Sequence, residues 1–374
     1  LKEASMYKIY AKKLFNGEEI LEDRVVVFDE EKILHIGEDI NDNFKEIYNV
    51  DFLMPPIIDL GSGIGLKEES LGRIEGDDLD EATNPVTPEL FAADGVNPYD
   101  EAFEKAVKGG SLISLILPGN ANPIGGHGVL VYNRGKHLLD MTIENPLGVK
   151  FSVNTEPKST YGPKGKTPMT RMGIAYLIRD TLYKAKEYNK EHKEFSLGFE
   201  SLIPLLEGKD LAFFASFRAD DIATSIRIGE EFGLRMAILY GVQSNMVKDL
   251  LKERNIPVVY GPIMFPRWSI ELKGLSPKVP LELISEGILT ALTSGHPMFP
   301  SKYLRLNAGL LIKEGLSEVE ALKTITLNPA KIIGKENLGK IEKDGLPNFV
   351  GFDGAPYDTT GNATLVFIKG VRVI

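Results

Sequence analysis

The sequence predicts an α/β protein in which a parallel sheet with crossover helices is flanked by a small β domain built by both termini. Three observations predict it. Strand-like and helix-like stretches alternate from residue 55 to residue 329, the pattern of a parallel sheet. Both ends are β-rich. Neither end is long enough to bury a core of its own, so the economical solution pairs them.

At the N-terminus, Tyr7–Ala11, Arg24–Phe28 and Lys32–Ile36 are short β-rich pieces separated by turn residues. Ile57-Ile58-Asp59 begins the alternating region as a buried strand. Ser111–Leu117 is the next, followed by the Gly/Asn/Pro loop PGNANPIGGHG. Val129–Tyr132 and Val149–Val153 are further strands. Arg171–Glu191 is a long helix, because Ile174, Leu177, Ile178, Leu182 and Ala185 fall on one face. Strand then helix recurs at Leu211–Ser216 and Asp220–Phe232, and at Met236–Leu239 and Ser244–Glu253. Val258-Val259 and Leu289–Thr293 are strands, with a helical stretch at Leu281–Glu286 between them. Helices Lys302–Glu314 and Ser317–Thr326 follow, and Asn328-Pro329 starts a short one, with proline at an early helical position. Asn348–Phe352, Thr364–Ile368 and Val371–Val373 return to strand. Periodicity does not choose between an open sheet and a closed barrel.

Composition narrows the function classes. The chain has 374 residues, 43% hydrophobic and 26% charged, ordinary for a globule of one large and one small unit. A net charge of -10, from 43 basic and 53 acidic side chains, offers no footprint for nucleic acid. No cysteine is present, so disulfides, thiolate metal sites and cysteine nucleophiles are excluded. No apolar run reaches the roughly 18 residues of a membrane span, and LKEASMYKIYAKK lacks a signal-peptide core. The expectation is a cytoplasmic protein with no membrane partner. No G-x-G-x-x-G follows a strand, so a dinucleotide site lacks its warrant. Gly125-Gly126-His127-Gly128 is glycine-rich but stands in a different context.

Several runs, in order, carry a resemblance: PPIIDLGSGIG (55–65), IEGDDLDEATNPVTPEL (74–90), DGVNPYDEAFEKAVKGG (94–110), LPGNANPIGGHG (117–128), YGPKGKTPMTRMG (161–173), FRADD (217–221), HPMFP (296–300) and TLNPAKIIG (326–334). Together they resemble the imidazolonepropionase-like branch of the amidohydrolase superfamily, over nearly the whole chain. The resemblance implies a (β/α)8 TIM-type barrel at 55–329. It also implies a composite β domain from 1–54 and 330–374.

The same resemblance implies a metal site that this chain does not match. The family's Asp-x-His-x-His is here Asp59-Leu60-Gly61-Ser62-Gly63. The run His-Ala-His-Arg-Ala-Asp-Asp is Ala215-Ser216-Phe217-Arg218-Ala219-Asp220-Asp221. Tyr240 and Asn245 stand where further histidines are expected, and Gly295 replaces the Asp before His296-Pro297. A catalytic zinc-type ion needs about three protein ligands, and glycine, alanine and phenylalanine offer none. Losses on four strand ends read as removal of the whole site. Aromatic Phe217 and Tyr240 would fill the space. Replacing the Asp with Gly295 would avoid an unpaired buried charge.

The remaining candidates are weaker. Of five histidines, His35, His137 and His192 read as surface or packing residues. His127 and His296 would lie near the C-terminal rim of the barrel, where chemistry occurs. There they could share an ion with Asp59, Asp77 or Asp78. Asp59 and Asp77 are candidates for a metal-free acid/base pair. Glu75 and Asp78 of the acidic loop, Lys164 and Arg171 of the basic stretch, Arg218, Tyr240 and Trp268 are candidate ligand contacts. The basic stretch suits an anion. The reading is an amidohydrolase-like protein without the usual catalytic metal, inactive as a metallohydrolase and retaining small-molecule binding. The alternative is a hydrolase of C–N bonds in cyclic amides with an altered or metal-free site. No cofactor is expected beyond a residual divalent metal. A homo-oligomer is compatible with either reading.

Overall fold

The computed structural model describes residues 6–69, 74–191 and 194–374. His192 lies outside the described residues. The two ends of the chain form one seven-stranded sheet. Its order is Val371–Arg372, Asn362–Ile368, Phe349–Asp353, Glu46–Met54, Tyr7–Phe15, Ile20–Phe28, Ile33–Gly37. Asn16 turns the first hairpin: its side chain accepts from the amides of Glu18 and Glu19 at 2.9 and 3.0 Å, a local bond that favours a turn over continued strand. Glu46–Met54 joins the termini, running parallel to Tyr7–Phe15 and antiparallel to Phe349–Asp353. Phe28, from the N-terminal part, packs edge-on against Phe349 and Phe367, with centroids 5.0 and 4.8 Å apart. Each such buried ring contributes about 1.5–3 kcal/mol, and each needs the other terminus to be buried at all.

Between these parts lies the barrel. Ile124–His127, Val149–Ser152, Ala212–Ser216, Met236–Tyr240, Val258–Tyr260 and Thr290–Leu292 form one curved sheet. Ile57–Ser62, Ser111–Ile116, Val129–Tyr132 and Thr142–Glu144 form the other. The five from Val149–Ser152 to Thr290–Leu292 pair in parallel. The strands are nearly all buried along their length, as expected where helices cover the outside.

Helix boundaries shift where local chemistry intervenes. The stretch read as Leu281–Glu286 is a helix from Lys278 to Ser285. Pro280 sits in its first turn, where the missing N–H costs nothing. The helices expected at Ser244–Glu253 and Lys302–Glu314 each open with a 3₁₀ turn, at Ser244–Val247 and Ser301–Tyr303. Glu101–Lys108 and Leu197–Leu206 are also helices, capped by Asp100 and Ser196. No helix among the described residues is long and apolar enough to cross a membrane.

Candidate functional site

The C-terminal mouth of the barrel is where the strands deliver side chains. Asp59 comes from the first strand and is fully buried. Its carboxylate accepts from Thr293 Oγ1 at 2.8 Å, the Ser294 amide at 3.1 Å, Ser301 Oγ at 2.9 Å and Ser294 Oγ. The Gly63 amide, beyond the end of the first strand, also donates to His296 O at 2.7 Å. These bonds stitch the first strand to the end of the last. Asp59 therefore closes the barrel seam.

The glycines that the resemblance sets at metal-ligand positions have packed atoms against them. A Cβ on Gly61 would lie 2.6 Å from Leu239 Cδ1, and one on Gly63 would lie 2.7 Å from Leu79 and 2.9 Å from His296 O. At Gly295 it would meet Met298 Cε at 2.8 Å and Pro262 at 3.4 Å. Phe217 stacks on Tyr240 at 4.7 Å and 15°. Ala215 is buried, and Asn245 faces Glu282 at 3.4 Å. Such a donor set does not fit a divalent ion. Among the described residues, no three His, Cys, Asp or Glu side chains are placed to hold one.

The two histidines expected together are apart. His127 pairs with Val149, at the start of its strand and so away from the mouth. It is buried and stacks on Phe91 at 4.7 Å. Ile124–His127 pairs antiparallel with Val149–Ser152, and this reverses the end at which His127 emerges. His296 stays at the mouth, its Nδ1 accepting from the Ser301 amide at 3.3 Å. Burial holds both imidazoles below the ordinary histidine range, outweighing Asp210 at His127 and Asp59 at His296. A depressed base leaves the unfolded chain binding more protons in acid. Its stability contribution is thus complete above about pH 6.5 and is lost as pH falls below that value. His127→Phe keeps the stack and removes the titration. Its unfolding free energy is expected to fall less than wild type between pH 7 and pH 5, measured by denaturant titration. Equal slopes would remove His127 from this account.

Other candidates are held in local pairs. Asp77 is bonded to Lys67, whereas Asp59 is bonded to Thr293, Ser294 and Ser301. Glu75 and Asp78 are exposed. Lys164 Nζ donates to Ala82 O at 2.9 Å. Arg171 grips Asp221 at 2.7 and 3.1 Å and reaches Thr155 and Glu271 at 3.2 and 3.3 Å. Arg218 is left with Asp220 alone, at 2.8 and 2.9 Å, because the neighbouring Asp221 turns inward to Arg171. Trp268 is 71% exposed, so it does not pack beneath its loop. Of the surface-type histidines, His35 bonds Glu38 O and His137 accepts from the Asp140 amide.

One buried group went unremarked in the sequence reading. Lys150 lies in Val149–Ser152 and is 1% exposed. Its Nζ donates to Pro118 O, Gly119 O and Asn120 Oδ1 at 2.9, 3.1 and 2.8 Å. It stands 5.9 Å from the Tyr240 ring centre. Burial pulls its ammonium down to about 8, against the opposing pull of Asp80 and Glu156. Those two carboxyls open to solvent but are hemmed in by the mouth, and desolvation raises both. Tyr240 is pushed up to about 12, mainly by burial. A lysine between Val149 and Phe151 in a buried strand was the available signal, since lysine is almost never fully buried unless paired.

This fold has counterparts among solved structures. No family model matches the chain. A solved amidohydrolase from Thermotoga maritima MSB8 superposes with a TM-score of 0.93 at 37% identity, over 98% of this chain and 99% of that one. The ochratoxinase of A. niger shares the fold at 14% identity and a TM-score of 0.60, over 99% and 96% of the two chains. The amidohydrolase tasK of Hapsidospora irregularis is 24% identical over 351 residues, 84% of this chain. This chain spans only 35% of that protein's length. On its match to the Thermotoga enzyme, supported by a barrel with a sheet from both termini, the chain belongs to the amidohydrolase superfamily.

Proposed function

We propose that this chain is an amidohydrolase-fold protein that does not operate the family's divalent-metal centre and serves in binding a small molecule. The observation that carries the reading is the filling of the ligand positions. Leu239, Leu79 and Met298 occupy the space that side chains at Gly61, Gly63 and Gly295 would need. Loss of a ligand by drift leaves a cavity, and cavities cost stability. A site closed by packed apolar atoms has been rebuilt around the loss. The retained Phe217-Arg218-Ala219-Asp220-Asp221 run supports placement in the imidazolonepropionase-like branch.

One observation favours a second reading, a hydrolase of C–N bonds in a cyclic amide with a metal-free site. Lys150 is pulled down towards neutrality while Asp80 and Glu156 are pushed up, and groups so tuned cluster at sites of proton transfer.

Elemental analysis tests the first reading. Untagged protein purified without chelator is expected to carry less than about 0.1 equivalent of Zn, Fe, Mn, Ni or Co, with no uptake on adding metal, because affinity requires a ligand set. About one equivalent surviving dialysis would overturn it.

A further inference from the structure

We propose that Pro118–Ala121 is a strap across the barrel mouth, latched from inside by Lys150 and from outside by Asp80, and that releasing the inner latch opens the mouth. The two grips act on the same residues. From beneath, Lys150 Nζ donates to the oxygens of Pro118, Gly119 and Asn120. From the solvent side, Asp80 accepts from the Ala121 amide at 2.9 Å. Its carboxylate packs so closely on Gly119 that a Cβ there would come within 2.3 Å of it. Only glycine fits between the carboxylate and the ammonium's acceptor. The Gly119 amide is itself tied to Leu79 O at 2.8 Å.

An unpaired polar group lies on the same strand as the inner latch. Ser152 lies two residues beyond Lys150 on the same strand and so shares its face. Its hydroxyl is fully buried with no hydrogen-bond partner. An unpaired buried hydroxyl costs about 1–3 kcal/mol, so a water or a small polar guest would complete the site. The inference holds whether or not a metal binds elsewhere in the barrel.

The charges facing the ammonium come from several elements. Asp80 precedes the strap in the chain, Glu156 lies on the helix Thr155–Tyr161, and Tyr240 ends its strand. Asp77 and Lys67 act on Asp80, Glu271 on Glu156, and Asp59 on Tyr240. As pH rises past about 8, Lys150 loses its charge and one of three donors. Three acceptors then share two hydrogens and the strap loosens.

Hydrogen exchange resolved to single amides by fragmentation mass spectrometry tests this in the intact wild-type chain. After correction for the intrinsic rate, protection at the Gly119 and Ala121 amides is expected to fall about tenfold from pH 7 to pH 9. Ile238 and Leu239 in the neighbouring strand should hold theirs. Lys150→Met should show the low value at both pH values. Strap amides that track Ile238 and Leu239 across the range would overturn the proposal, even if Lys150→Met fails to fold. Wild-type protection retained in a folded Lys150→Met would overturn it equally.

Discussion

Asp59→Ala is expected to cost roughly 3–5 kcal/mol of unfolding free energy, since each buried donor left unpaired costs about 1–3 kcal/mol. The carboxylate collects Thr293 Oγ1, the Ser294 amide and hydroxyl, and Ser301 Oγ, all buried. Removing it leaves these buried donors without the acceptor that all four share. The Ser301 hydroxyl could still turn to Ser111 Oγ at 3.0 Å, which lowers the sum below a full count. Asp59→Asn keeps one carbonyl acceptor and the shape, so about 1–3 kcal/mol is expected. Urea denaturation of the three proteins decides it. A loss under about 1 kcal/mol for the alanine variant would remove Asp59 as the seam closure and leave it free for a role in chemistry.

Gly61→His, which restores one imidazole of the family pattern, is expected to destabilise by several kcal/mol without creating a metal site. The backbone there has φ +84°, which strains any residue with a Cβ. The new Cβ would also press on Leu239 Cδ1 and Cδ2 at 2.6 and 3.0 Å. Overpacking alone costs about 1–3 kcal/mol, and the backbone conformation adds about 1–2 kcal/mol. Gly295→Asp is the informative contrast. Its φ is +56° and its nearest obstacle is the end of Met298, a flexible side chain that can move. Aspartate also tolerates this conformation better than histidine's bulk allows at Gly61. The cost at 295 should therefore be clearly smaller, measured by denaturation. A well-folded Gly61→His that takes up about one zinc would mean that the mouth is open and that the proposed loss of the metal centre is wrong.

Much of the fold was legible because its signals are local. Apolar runs such as Ser111-Leu112-Ile113-Ser114-Leu115-Ile116 are buried on both faces and can only be inner strands. The helix Arg171–Glu191 announces itself by its spacing, and its observed bounds are those of the sequence reading. The absence of ligand side chains at the positions the resemblance matches was equally plain, since a glycine offers none whatever surrounds it. Less legible was anything decided by direction. His127 looks like a rim residue in a glycine-rich loop, yet an antiparallel pairing with Val149 carries it to the opposite end. Arg218 had two aspartates in reach by sequence, Asp220 and Asp221, and only packing assigns Asp221 to Arg171.

By itself, the sequence determined the class of fold, the union of the two termini and the absence of thiolate chemistry and of the expected imidazoles. These follow from residue types and short-range periodicity, which need no knowledge of neighbours in space. Only the tertiary structure decided that Leu239, Leu79 and Met298 stand against Gly61, Gly63 and Gly295, that Asp59 binds the seam, and that Lys150 reaches the oxygens of Pro118, Gly119 and Asn120. Each of these depends on atoms from segments far apart in the chain, such as Asp59 with Ser301 or Lys150 with Gly119. Close packing and buried hydrogen bonds are properties of such meetings, and no local pattern encodes them.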